Sequence, residues 1–151
     1  MRMTELRTWL FLVFVISLLG TTTELMLLDH RDSFTQWIPF AVFGVGIIAT
    51  AAVAVRASPL TLNLFRGVMV VFVATGLAGL YLHYRGNVAF ELEMSPALKG
   101  WQLFRGALTG ATPTLAPGAM SQIGLLGLLY TWRHPVLTGR AVRNQQPEIT
   151  V

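Results

Sequence analysis

The sequence predicts an all-α integral membrane protein: an antiparallel bundle of four transmembrane helices, with a short amphipathic helix in the outer loop between helices 3 and 4. Three observations predict it. Of the 151 residues, 54% are hydrophobic and only 12% are charged, whereas a soluble domain carries about 25% charge and needs it for its surface. The apolar residues fall into four blocks, each long enough to cross a hydrocarbon core of about 30 Å at about 1.5 Å per helical residue. The few charges collect at the block ends, where lipid gives way to water.

The first helix is expected over residues 8–28, behind Arg2 and Arg7. A basic start before an apolar run is also how a signal peptide begins. Here the run continues past Gly20 and Thr21 through Leu25–Leu28 with no small-residue cleavage site, so an uncleaved span is expected. The polar segment from Asp29 to Ser33 ends it. The second helix is expected over 37–55, stopped by Arg56, with Ser58-Pro59 and Asn63 marking a turn. The third is expected over 64–84, from near Arg66 to His83-Tyr84-Arg85, and the fourth over 114–132, closed by Arg133-His134-Pro135. Residues 1–135 thus form a single transmembrane domain, followed by a polar tail over 136–151.

The connection between helices 3 and 4 is the long one. Ser95 reads as a helix N-cap and Pro96 as the first helical residue. Ala97, Trp101, Phe104 and Leu108 then recur at helical spacing. These predict an interfacial helix over 96–109, on the outer membrane surface or folded over the bundle mouth. Gly110, Pro113 and Pro117 manage the return into lipid.

Orientation follows from the basic residues. With the first helix running outward, Arg2, Arg7, Arg56, Arg66, Arg133, Arg140 and Arg143 share one side. Arg31, Arg85, Lys99 and Arg105 share the other, diluted by Asp29, Asp32, Glu91 and Glu93. The positive-inside rule then places both termini in the cytoplasm, and the plasma (inner) membrane is the expected location. For helix packing, small residues offer close-approach strips: Gly46, Thr50 and Ala54; Ala74 and Ala78 beside Thr75 and Gly79; and Gly118, Gly124 and Gly127.

Composition excludes several classes. Without cysteine there is no disulfide, thiolate metal site, iron–sulfur cluster or covalently attached c-type haem. The net charge of +4 comes from arginines scattered singly between apolar blocks, which argues against nucleic acid. No hydrolase, P-loop or dinucleotide motif occurs, so the reading leans away from an enzyme, and no cofactor is implied by a specific motif. Haem would need two facing histidines at one depth. His30 and His83 lie near the outer boundary, and His134 on the opposite side.

The polar residues that remain are the candidates for a site. Glu24 lies inside the first span, on one face with Thr21 and Ser17 at spacings of three and four. A carboxylate at that depth is costly, by about 2–3 kcal/mol, less near the boundary. It is a proton- or ligand-binding acid, or it pairs with a neighbouring helix or reaches the outer water. His83, Asn87 and Glu91 recur every four residues and form one ridge if the helix continues past Gly86. His83 and Glu91 would then stand about 12 Å apart, too far to share a metal on a straight helix. His30, Asp32, His83 and Glu91 are weak metal candidates, of suitable types but without diagnostic spacing. Gln122, beside Ser121, bonds across the bundle or meets a quinone carbonyl.

Three functions remain open to the sequence. One is a small non-catalytic accessory or scaffolding subunit, partnered by the bilayer and by other membrane subunits or copies of itself. Another is a ligand-, quinone- or metal-binding bundle with its site at the outer face near Glu24 and His83. The last is an oligomeric transporter or channel with Glu24 as its protonatable group.

Overall fold

The computed structural model describes residues 3–28, 34–110 and 112–139. Among them the chain is entirely helical: α1 (Met3–Leu27), α2 (Phe34–Val55), α3 (Pro59–Met94), α4 (Gly100–Leu108) and α5 (Gly118–Thr131). α1, α2 and α3 are each long and apolar enough to cross a membrane. Their outward side chains are ones that water would not tolerate in such number; Ile16, Ile48, Leu64 and Leu77 are all more than half exposed. Lipid is the solvent that fits this surface, and the chain is a helical membrane protein.

α3 departs furthest from expectation. It runs well beyond 64–84, covering 36 residues and rising about 54 Å. Ser58, expected in a turn, is its N-cap: Oγ accepts from the Thr61 N–H at 3.2 Å, and the Ser58 N–H donates to Thr61 Oγ1 at 2.9 Å. Ser95, expected to start the outer helix, instead closes α3 by donating its N–H to the Glu91 carbonyl at 2.9 Å. Pro96 disfavours helical backbone at the residue before it and ends the helix there. The helix expected from Pro96 therefore starts at Gly100 and has no side-chain cap. α5 is also shorter than the predicted 114–132. Its 14 residues rise about 21 Å, because residues 113–117, between two prolines, form successive turns.

α1, α2, α3 and α5 close a ring in that order, each packed on the next, with α1 and α3 on one diagonal. Inside it stands a column of aromatic rings. Phe14 meets Phe65 edge-on at 5.4 Å, Phe43 meets Phe72 at 5.3 Å, and Tyr130 meets Phe11 at 4.9 Å. In lipid such burial brings little hydrophobic gain, so helix association depends on close approach. α3 and α5 achieve it through glycine. A Cβ on Gly76 would stand 2.6 Å from the Ser121 nitrogen and 2.9 Å from the Pro117 carbonyl, and one on Gly124 would stand 2.6 Å from the Met69 carbonyl. Ser121 Oγ donates to the Val73 carbonyl across the same seam at 3.0 Å. Gly46 works likewise against the Phe72 ring, at 2.6 Å. On α3 the strip is Gly76 and Gly79; Ala74 and Ala78, expected there, face outward.

At the end where α1 begins and α5 finishes, Arg7 ties the two together. Its Nε donates to the Tyr130 carbonyl at 3.2 Å, and its Nη2 to those of Trp132 and Arg133 at 3.1 and 3.3 Å. A guanidinium here answers the orphan carbonyls and partial negative charge of a helix C-terminus. The chain then turns back. Leu137 and Thr138 donate their N–H groups to the His134 carbonyl at 2.9 and 3.1 Å, and Val136 and Leu137 pack on the core. What the sequence assigned to a tail from 136 thus begins as an anchored turn, and 140–151 lie outside the described residues.

His134 is buried, and its Nδ1 accepts the Val136 N–H at 3.3 Å. Burial, and then the charge of Arg7, hold its pKa below the ordinary 6.5. A folded-state pKa below the unfolded one means the unfolded chain binds the proton more readily. The contribution of the neutral ring is therefore complete above about pH 6.5 and is lost as pH falls through the lower folded value. Histidine-labelled NMR should show His134 titrating below 6.5, with lower protection factors at the Val136 and Thr138 amides on acidification once the intrinsic fall in exchange rate is divided out. Titration at or above the ordinary value would contradict the burial of a neutral ring.

Candidate functional site

Ser17, Thr21 and Glu24 from one face of α1 meet Gln122 of α5 in a single groove of about 280 Å³, completed by Gly20, Ala119, Ile123 and Leu126. The helical repeat explains the α1 side: steps of three and four keep these residues in one line. Glu24 stands near the end of α1, and Ser17 about 10 Å deeper. Gly20, without a side chain, leaves the groove open between them; a Cβ there would meet nothing within 4 Å. Glu24 and Gln122 are exposed, and Ser17 and Thr21 half-buried. Among the described residues no hydrogen bond or ion pair engages any of these four side chains. Their neighbours behave differently: Thr22 and Thr23 donate back to the Leu18 and Leu19 carbonyls at 2.6 and 2.9 Å.

His83, Asn87 and Glu91 also fall in line, because α3 continues without a break past Gly86. All three face the segment from Gly106 to Thr114. Asn87 is 2% exposed. Its Nδ2 donates to the Ala107 carbonyl at 2.9 Å, the Thr112 carbonyl at 2.7 Å and Thr114 Oγ1 at 2.9 Å. Its Oδ1 accepts from the Thr112 N–H at 3.1 Å and from Thr112 Oγ1 at 2.7 Å. An amide has two N–H donors and two acceptor lone pairs, so this one is saturated. His83 Nδ1 lies 3.2 Å from the Pro113 carbonyl, an arrangement that requires the proton on Nδ1. Glu91 lies along α4, where a Cβ on Gly106 would come within 3.0 Å of its Oε2. The ridge is thus a fastening strip for α4 and the turn after it, and Asn87 has no capacity left for a ligand.

The two polar groups do not form one site. α1 and α3 stand on the diagonal, reaching each other through Phe14 and Phe65 in the core. Glu24 shares its groove with α5, while His83 is held by the turn at Pro113. His30 and Asp32, the other metal candidates, lie outside the described residues. Among the described residues no three His, Asp or Glu side chains come together as a metal site.

α4 docks through Gly106 and the fully buried Ala107. Most of its predicted apolar stripe turns away from α3: Trp101 is 72% exposed and stacks on Phe104 at 5.3 Å. Phe104 alone returns, to Tyr84 at 6.0 Å. The docking face escaped the sequence reading, although Gly106 and Gly110, four apart, mark it; a Cβ on Gly110 would stand 2.9 Å from Asn87 Cγ. Compared with known proteins, the chain matches no protein-family model, no curated protein and no solved structure.

Proposed function

We propose that the protein is a four-span plasma-membrane bundle with cytoplasmic termini, acting as a non-catalytic accessory subunit that receives a partner's transmembrane helix in the α1–α5 groove. α5 with its flanking turns supplies the fourth span, and α4 lies in the outer interfacial layer, where the exposed Trp101 and Phe104 suit headgroup depth. The groove with its four unmet polar side chains carries this reading. Hydrocarbon offers polar groups nothing, so hydroxyl, amide and carboxylate at membrane depth call for a partner from outside the chain. A helix bearing an amide or a basic group would satisfy Glu24 and Gln122 together.

A photoreactive phenylalanine analogue in place of Gly20 tests this in intact membranes. A discrete membrane protein should crosslink there, and adding Glu24→Ala should weaken the band. Crosslinks to lipid alone, as from a probe at the lipid-facing Ile48, would defeat the proposal. The amide facing a carboxylate across the groove also suits a quinone or similar small ligand, and stoichiometric recovery of one from purified protein would favour that reading instead. Proton-coupled transport through Glu24 is the third reading, and it falls if Glu24→Gln leaves proton flux in proteoliposomes unchanged.

A further inference from the structure

A second hollow, of about 420 Å³, lies at the opposite end of the bundle, lined by Arg66, Thr131, Trp132, Arg133, Leu137 and Thr138. We infer that Arg66 and Arg133 form a binding site for a phosphate group, that of an anionic lipid headgroup.

The hollow arises because α5 stops short. Gly127 stands against Met69 and Phe65, so the last turn of α5 ends close to Arg66, while α3 runs on to Pro59. The returning turn at 133–138 closes the far wall. To make it, Arg133 adopts φ 48°, in the left-handed region that a side chain rarely enters. That geometry sets a second guanidinium on the same hollow as Arg66.

Charge explains why an anion belongs there. No acidic side chain among the described residues pairs with Arg66 or Arg133. Both hydroxyls in the lining are spent inward, Thr131 Oγ1 on the Leu128 carbonyl at 2.9 Å and Thr138 Oγ1 on that of Pro135 at 3.3 Å. The two guanidiniums, with the Trp132 indole N–H beside them, are the donors left for a ligand, and a planar fork of N–H groups suits phosphate oxygens. A helix C-terminus would ordinarily repel an anion. Here Arg7 already takes the Tyr130, Trp132 and Arg133 carbonyls, which removes that objection. Among the described residues this end carries Arg7, Arg56, Arg66 and Arg133 against the single Glu5. Trp132, 63% exposed, and Leu137 supply apolar surface beside the charge, against which the start of a lipid's acyl chains can lie.

The site is independent of the α1–α5 groove and is tested separately. Retention of phosphatidylglycerol by the purified full-length protein is measured by native mass spectrometry, against phosphatidylcholine. Arg66→Gln and Arg133→Gln should each weaken retention about fivefold, and Arg133→Lys should recover part of it. Arg56→Gln removes the same charge from the same end but lies outside the hollow, and should change little. Competition by inorganic phosphate or glycerol 3-phosphate at millimolar concentration would keep the phosphate site but make its source soluble. Equal loss from Arg56→Gln, or no loss from either hollow variant, would overturn the inference. Arg133, on an exposed turn, keeps the test open should Arg66→Gln fail to fold.

Discussion

Asn87→Ala is expected to free the segment from Ala107 to Thr114 while leaving the bundle folded. The substitution strips the buried Ala107 carbonyl and the part-buried Thr112 carbonyl and N–H of their Asn87 partner. Net bonds of about 1 kcal/mol each, plus the cost of stranded groups, give a local loss of about 2–4 kcal/mol. Hydrogen exchange should rise sharply at Thr112, and proteolysis should find the turn near Gly110. Asn87→Asp should do no better. A carboxylate offers no donor to the two carbonyls it would face, so it places negative charge against them. Unchanged exchange at Thr112 in the alanine variant would mean the amide is not the fastening point.

Gly124→Val should have the larger global effect. Even a first carbon at this position would stand 2.6 Å from the Met69 carbonyl and 2.9 Å from the Val73 nitrogen. Both are backbone atoms of α3 and cannot swing aside, so the helices must separate. Overpacking of this kind costs about 3 kcal/mol, and separation also stretches the Ser121–Val73 bond. Thermal unfolding in detergent should show a pronounced fall in midpoint. Gly67→Val provides the contrast, since a Cβ there meets nothing within 4 Å. Equal midpoints for the two variants would remove the close-approach account of the α3–α5 seam.

Particular residues show what was legible in the sequence. The line Ser17–Thr21–Glu24 follows from helical spacing alone, and the structure keeps it as one wall of a groove. That Gln122 stands opposite was not legible, because periodicity says which residues share a face and nothing about which helices are neighbours. The ridge of His83, Asn87 and Glu91 was foreseen as geometry, but what it faces was not. Half of its partners are backbone carbonyls, of Ala107, Thr112 and Pro113, which look alike in any sequence. The boundary errors at the two ends of α3 have one cause. His83-Tyr84-Arg85 was read as the end of helix 3 because the apolar run ends there, yet the end of an apolar run does not stop a helix. A proline does. Ser58-Pro59 and Ser95-Pro96 are the same dipeptide doing opposite work: the first caps and starts α3, the second stops it. Similarly, Ala74 and Ala78 looked like the packing strip of α3, but close backbone approach selected Gly76 and Gly79.

The ring of helices has a consequence for the order in which the protein is made. α1 packs on α2 and α5, and α3 on α2, α4 and α5, so α5 alone joins the two sides of the open arc. Synthesis runs from the N-terminus, and α5 is the last of these helices to leave the ribosome. Until then Arg7 lacks its carbonyls, and Gly76 faces no serine. The nascent chain must therefore wait in the membrane as a three-helix arc with its seam uncovered. α5 closes both seams, α1–α5 and α3–α5, when it arrives.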